Sequence, residues 1–155
     1  VGHLKDSGLV ARPLGKLTQV NCASPQYLER FGFPESLDDL STHAVVHYSP
    51  HFGSRGQGFE YSMDKQTHWI KTGGILTVNS PETYQAAAVT GLGIIQVPRA
   101  AIKEALRSGA LIEILPQYRP EPMPVSLLYP HRRNLSRRVH LFMEWLGGVM
   151  KGYVD

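Results

Sequence analysis

Val78-Asn79-Ser80-Pro81-Glu82-Thr83-Tyr84-Gln85-Ala86-Ala87-Ala88-Val89-Thr90-Gly91-Leu92-Gly93-Ile94-Ile95-Gln96-Val97-Pro98 spells a strand, a cap, a helix, a turn and a second strand. Ile75, Leu76 and Val78 end a β-favouring run. Ser80 then offers an N-cap oxygen, and Pro81 a first helical residue whose missing N–H costs nothing there. The helix is expected to begin at Pro81, with Tyr84, Ala87 and Ala88 on one face and Gly91 as the left-handed residue that ends it. Gly93 to Val97 reads as a short apolar strand stopped by Pro98. Strands joined through such a helix should lie parallel with a right-handed crossover, which sets the helix N-terminus at the carboxyl edge of the sheet. There, free backbone N–H groups and the helix dipole favour an anion or carboxylate, with Asn79 and Ser80 facing it. From local sequence alone, an ordinary cap and an ordinary turn residue remain the simpler account of that pair.

A similar pattern stands earlier. Leu17 to Ala23 is strand-like and runs into Ser24-Pro25-Gln26-Tyr27-Leu28, again Ser-Pro opening a helix with Tyr three positions after the cap. If both strands join one parallel sheet, the two helix starts point the same way. The match is too short to define a repeat and reads as convergent capping chemistry.

The chain's 155 residues fit one domain or two small lobes, and 42% hydrophobic content is enough to bury a core. A formal charge of +3 argues only weakly for nucleic acid, because the excess sits mainly in His131-Arg132-Arg133 and Arg137-Arg138 at the start of the last helix. Cys22, the single cysteine, has no internal disulfide partner and lies in an apolar run, so a buried thiol in a reducing compartment is expected. No stretch approaches a membrane span, and the opening Val1-Gly2-His3 carries neither a signal peptide nor an initiator Met, as a fragment would.

Elsewhere, Leu9 to Leu14 is a short strand or edge segment, Gly32 to Leu40 a turn and a short helix, and Ala44 to Tyr48 a strand. Ser49 to Gly58 is a glycine-punctuated loop, and Phe59 to Ser62 with Thr67 to Lys71 suggests a β-hairpin. Ala100 to Ser108 reads as a helix stopped by Gly109, and Leu111 to Leu115 as a strand. Pro116 to Pro124 is proline-dense, hence stiff and extended, and suits a crossing between lobes. Val125 to Tyr129 is a strand and Arg137 to Met150 a helix, whose Val139, Phe142, Met143, Leu146 and Met150 form an apolar stripe suited to packing.

His43, His47 and His51 are spaced by four, but Val45, Val46 and Pro50 favour strand and turn over the helix that would align them on a metal. Gly53-Ser54-Arg55-Gly56-Gln57-Gly58 lacks the Lys-Ser/Thr ending of a phosphate loop, and Gly91-Leu92-Gly93 precedes a strand rather than a helix. No nucleophile–base arrangement is recognisable. Hence no catalytic residue, metal or cofactor is expected.

An ordered set of motifs runs through nearly the whole chain: Asp6 to Leu14, Ala23 to Leu28, Asp39-Leu40 with His43, Val78-Asn79-Ser80 with Ala88, Gly91-Leu92-Gly93-Ile94 and Pro98, Gly109-Ala110-Leu111, Leu115-Pro116 and Tyr129-Pro130. In this order they resemble the effector-binding domain of LysR-type transcriptional regulators. The resemblance implies an α/β fold like that of type 2 periplasmic binding proteins, with two Rossmann-like lobes joined by two crossing segments and a small effector in the cleft. Residues from about 16 to 117, or 15–122 with the crossing segments, would form lobe II, and residues 1–14 and 123–155 parts of lobe I. The first lobe's opening elements and the winged helix-turn-helix that reads DNA are missing, so lobe I is incomplete and DNA contact would need the absent N-terminal domain.

The resemblance makes the Asn79–Ser80 corner a cleft wall and sets Gly2-His3 at the cleft edge. The effector-binding candidates are Asn79, Ser80, Pro81, His3, Ser24, Tyr48 and Pro98. The implied protein is a bacterial, cytoplasmic, non-enzymatic sensor of a small anionic or aromatic effector, a dimer or tetramer at full length and not a membrane protein. A solute-binding protein or an enzyme on the same bilobal scaffold is the alternative.

Overall fold

The computed structural model describes residues 1–2, 8–50, 58–130 and 135–154. In chain order the regular elements are β1 (Leu9–Leu17), β2 (Gln19–Ala23), α1 (Pro25–Phe31), β3 (Val46–Tyr48), β4 (Phe59–Met63), β5 (Gln66–Ile70) and β6 (Leu76–Val78). They continue with α2 (Pro81–Val89), β7 (Ile95–Pro98), α3 (Lys103–Arg107), β8 (Ile112–Ile114), β9 (Met123–Pro130) and α4 (Arg137–Met150). Single 3-10 turns cover Asp38–Ser41, Arg99–Ile102 and Pro116–Tyr118. The chain divides into two compact units, Gln19–Glu121 and the pair Val1–Thr18 with Pro122–Asp155.

In the unit that joins the two ends of the chain, β1 and β9 pair antiparallel from Leu9–Pro130 to Leu17–Met123, with a register shift between Pro13 and Gly15. A two-stranded ribbon tolerates Pro13 because its outer edge needs no ladder donor. Ser136 caps α4 by accepting a hydrogen bond from the Val139 amide. The apolar stripe expected to be packing is covered only in part: Met143 is 4% exposed, whereas Phe142 is 56% exposed and Val139 39%. Phe142 lies about 100° around the helix from Met143, off the covered arc, and its ring packs instead against Trp145 at 5.6 Å between centroids.

The Gln19–Glu121 unit is built on strands whose side chains alternate between two cores. Val20, Cys22, Val46 and Ile95 face α2 and α3 and meet Tyr84, Ala87, Ala88, Ile102 and Ala105. Ala23, Val45 and Ile94 face the other way and meet Tyr27 and Leu28 of α1, Leu40, and Phe59 of the hairpin. β2 is central, antiparallel to both β7 and β8. β3 pairs parallel with β6, and Val45 pairs parallel with Ile94, the residue before β7. The Ile94 amide donates to the Ala44 carbonyl at 2.9 Å and its carbonyl accepts from the Val46 amide at 2.9 Å, so the two ladders meet at one residue.

The expected strand–helix–strand unit is present, with Ser80 as N-cap and Gly91 left-handed at φ 80°. β6 and β7 run parallel, but β3 is inserted between them. The conditional expectation that both Ser-Pro helix starts point the same way is corrected. β2 runs against β7, so Ser24 lies at the opposite edge from Ser80. The predicted 100–108 helix is shorter, a 3-10 turn followed by α3, and the connector opens with a 3-10 turn at Pro116–Tyr118 instead of running extended throughout. Leu115 ahead of it is left-handed (φ 45°), a strained state for a branched side chain. The predicted β4–β5 hairpin forms with Asp64 and Lys65 both left-handed, which matches the twist of a two-residue turn. The glycine-rich residues 53–57 and the cluster His131-Arg132-Arg133 lie outside the described residues.

Gly93 is required by close approach. A methyl group on it would stand 2.6 Å from the Ala44 carbonyl oxygen, at the join between the ladders. Gly93→Ala should lower stability by about 2 kcal/mol or more, read as a reduced urea midpoint at unchanged slope.

Candidate functional site

Because β6, β3 and the Ile94–Pro98 segment are parallel, their carboxyl ends share one edge of the sheet. Tyr48 closes β3, Asn79 and Ser80 follow β6, Pro81 opens α2, and Pro98 closes β7 opposite Gln19. The structure thus brings together Tyr48, Asn79, Ser80, Pro81 and Pro98. Ser24 is not among them. It is 2% exposed at the opposite edge, where its Oγ accepts from the Tyr27 amide and caps α1. His3 lies outside the described residues.

Asn79 is exposed and Ser80 half-buried. Ser80 Oγ accepts from the Thr83 amide at 3.3 Å and donates to Glu82 Oε2 at 2.6 Å. The Ser80 hydroxyl, with the backbone amide of Glu82 itself, holds the Glu82 carboxyl below its ordinary range, so a negative charge from the chain already sits at the start of α2. Beside it, the Tyr48 ring, 42% exposed, packs on the Tyr84 ring at 5.6 Å between centroids. Tyr84 is buried, its phenol pushed up to about 12 by burial, and its oxygen accepts the Gln96 amide at 3.0 Å. Ser49, also buried, ties this edge together by donating its amide to the Val78 carbonyl at 2.8 Å. The edge therefore offers an exposed aromatic face, an exposed side-chain amide and a capped helix start, features suited to holding a small molecule and lacking a nucleophile–base pair among the described residues.

Sequence reasoning placed Tyr84 on a packing face and missed its phenol as an acceptor. It also passed over Glu82, Asn21 and Gln96. The available signal was an amide side chain inside an apolar strand run, at Asn21 between Val20 and Cys22 and at Gln96 between Ile95 and Val97.

The histidines are dispersed in role. His43 is buried, with Nδ1 3.0 Å from the Tyr27 hydroxyl, which also accepts the Ala44 amide at 2.8 Å. His47 sits half-buried in β3, and His51 lies outside the described residues. Among the described residues no group of three or more His, Cys, Asp and Glu side chains is placed to hold a metal. Among them, too, no helix is long and apolar enough to cross a membrane.

The family model "LysR substrate binding domain" matches residues 1–151. An uncharacterized HTH-type transcriptional regulator of Escherichia coli K12, YhjC, is 61% identical over 154 residues, 99% of this chain but 52% of that protein. The regulatory domain of CrgA, a LysR-type transcriptional regulator from Neisseria meningitidis, superposes with a TM-score of 0.79 at 26% identity, covering 96% of this chain and 72% of that one. The full-length Vibrio cholerae virulence activator AphB superposes with a TM-score of 0.78 at 25% identity, covering 94% of this chain and 49% of that one. The family match and the superpositions define a mixed α/β ligand-sensing module with two lobes and crossing strands. The chain belongs to the LysR substrate binding domain family, the regulatory part of LysR-type transcriptional regulators. It spans about half the length of the curated relative named here.

Burial pushes the His43 pKa down, against the opposing charge of Asp39. Below about pH 6.5 the unfolded chain takes up a proton that the folded chain resists, so stability falls with pH from there toward the lowered folded value. His43→Gln should lose less urea stability than the parent between about pH 7 and about pH 5.5. Some slope remains, because burial also lowers the His47 pKa. Cys22 is buried, and burial, followed by the nearby Glu113 charge, pushes its thiol up to about 12. Thiol reagents at neutral pH should label it only after denaturation.

Proposed function

We propose that this domain senses a small anionic or aromatic effector at the carboxyl edge of the Gln19–Glu121 unit, through Tyr48, Asn79, Ser80, Pro81 and Pro98. The observation that carries the reading is the convergence of these five residues at the ends of three parallel strands, where open α/β sheets hold their ligands. Residues 15–122 are read as regulatory lobe II with its crossing segments, and residues 1–14 and 123–155 as parts of lobe I. The compact unit Gln19–Glu121 supports that assignment. His3 is retained as a candidate from lobe I on the strength of the family resemblance alone.

In this reading the parent protein is a cytoplasmic homo-oligomer, a dimer or tetramer, that reaches DNA through a separate helix-turn-helix domain. The family match and the regulators it resembles support the assignment. Effector occupancy shifts the arrangement of the lobes only by its differential affinity for the two states, typically about 1–3 kcal/mol of coupling.

Thermal-shift screening with small carboxylates and aromatic acids tests the edge. A compound that stabilises the parent regulator should give little shift with the Asn79→Ala, Ser80→Ala double variant and bind it roughly tenfold or more weakly by calorimetry. The shift, not the absolute melting temperature, is the readout, because losing the Ser80 cap alone costs about 1 kcal/mol. Equal affinity in parent and double variant rejects this site.

A further inference from the structure

Two amide side chains, Asn21 buried and Gln96 half-buried, tie separate segments to the sheet of the Gln19–Glu121 unit. Gln96 Nε2 donates to the Glu60 carbonyl at 2.7 Å and to Asn21 Oδ1 at 2.8 Å, while Gln96 Oε1 accepts the Glu60 amide at 2.8 Å. The side chain of Gln96 thus pairs with both backbone groups of Glu60, as a neighbouring strand's peptide would, and ends the isolation of β4 from the sheet. Asn21, fully buried, spends its Nδ2 protons on the carbonyls of Leu115 at 3.1 Å and Tyr118 at 2.9 Å, which fixes the left-handed turn at the start of the connector. Hairpin and connector are also joined directly: the Ser62 amide donates to the Arg119 carbonyl at 2.9 Å and Thr67 Oγ1 to Glu121 Oε2 at 2.9 Å.

On its other side Gln96 reaches the candidate edge. Its backbone N–H is held by the Tyr84 phenol, and the Tyr84 ring carries the exposed Tyr48 ring. We infer that Gln96 is a positioning residue that couples the Tyr48–Tyr84 edge to the β4–β5 hairpin and, through Asn21, to the Leu115–Glu121 connector. A molecule that moves the Tyr48–Tyr84 pair displaces the acceptor of the Gln96 amide, and the Gln96 side chain transmits that displacement to Glu60. Every donor and acceptor in this chain of contacts is buried or half-buried, so moving one without the next would strand a polar group. The link to signalling rests on the effector reading above, whereas the coupling itself does not.

Amide hydrogen exchange on four proteins tests it without any ligand: the parent, Tyr84→Phe, Gln96→Leu and the double variant. In the parent background, Tyr84→Phe should speed exchange of the Phe59–Ile70 amides by roughly three- to tenfold, while Val20 to Cys22 keep parent rates. In the Gln96→Leu background the hairpin should already exchange faster, and adding Tyr84→Phe should change it no further. If Gln96→Leu does not fold, Gln96→Glu replaces it, retaining the acceptor for Glu60 and losing both donors. An equal effect of Tyr84→Phe in both backgrounds, no hairpin effect, or a uniform rise that includes β2 overturns the inference. Failure of the effector reading would leave these exchange ratios as they are, so the two fail separately.

Discussion

Everything in the larger unit hangs on the backbone of Ile94. Its N–H and C=O are shared with Ala44 and Val46, and through this parallel pairing the β3–β6 ladder joins the β7–β2–β8 ladder. The contact is possible because Gly93 presents no Cβ to the Ala44 carbonyl. It sets β3, and with it β6, parallel to β7. β3, β6 and β7 end at one edge, α2 begins there, and the ends of three strands and one helix converge on a small area. Ile94 is also fully buried in the core cluster that includes Val45 and the hairpin residue Phe59, so hydrophobic burial and backbone pairing restrain the same residue.

Residues 78–98 were legible because each local signal agreed with the next: Ser80 and Pro81 fix the start of a helix, Ala87 and Ala88 its packing face, Gly91 its end. The limits of the last helix, Arg137 to Met150, were legible from its apolar spacing, and the structure adds Ser136 as its side-chain cap. Strand neighbours were not legible. Whether β3 inserts between β6 and β7, and whether β2 runs with them or against them, depends on long-range pairing that leaves no trace in a three-residue strand. The likeness between Ser24-Pro25 and Ser80-Pro81 therefore carried correct local information, since both are caps, and a wrong global suggestion, since they lie at opposite edges. Of the candidate site, the polar corner could be read from its cap, while the bonding partners of Tyr84 and Gln96 could not, because they are distant in the chain or are backbone groups.

The amides of Asn21 and Gln96 explain how so much irregular backbone is held in a small unit. The hairpin, the turn at Leu115 and the connector to Glu121 contribute backbone groups that no regular ladder of the central sheet receives. Asn21 and Gln96 supply peptide-like donors and acceptors at fixed heights on β2 and β7. An aliphatic residue at either position would pack as well and leave two backbone groups unsatisfied, a penalty of about 1–3 kcal/mol each. Their location on the face opposite α2 and α3 leaves that second face free to be purely apolar, as the Val20, Cys22, Ile95 and Ile102 cluster is.

The electrostatics of the carboxyl edge set the terms on which a ligand can enter. A helix start of this kind ordinarily welcomes a carboxylate, but here Glu82 already lies over it, hydrogen-bonded by Ser80. On the proposed reading, an anionic effector at this edge would either turn the Glu82 carboxylate out into solvent, where it is already exposed, or direct its charge away from the corner and use the Tyr48 ring instead. Turning Glu82 out would release the Ser80 hydroxyl as a donor while the capping bond from the Thr83 amide stays in place. That exchange of one carboxylate for another leaves the number of hydrogen bonds at the corner nearly unchanged. Discrimination among anions would then fall to the exposed ring of Tyr48, backed by the buried Tyr84, because size and planarity, unlike charge, find no competitor already in place there.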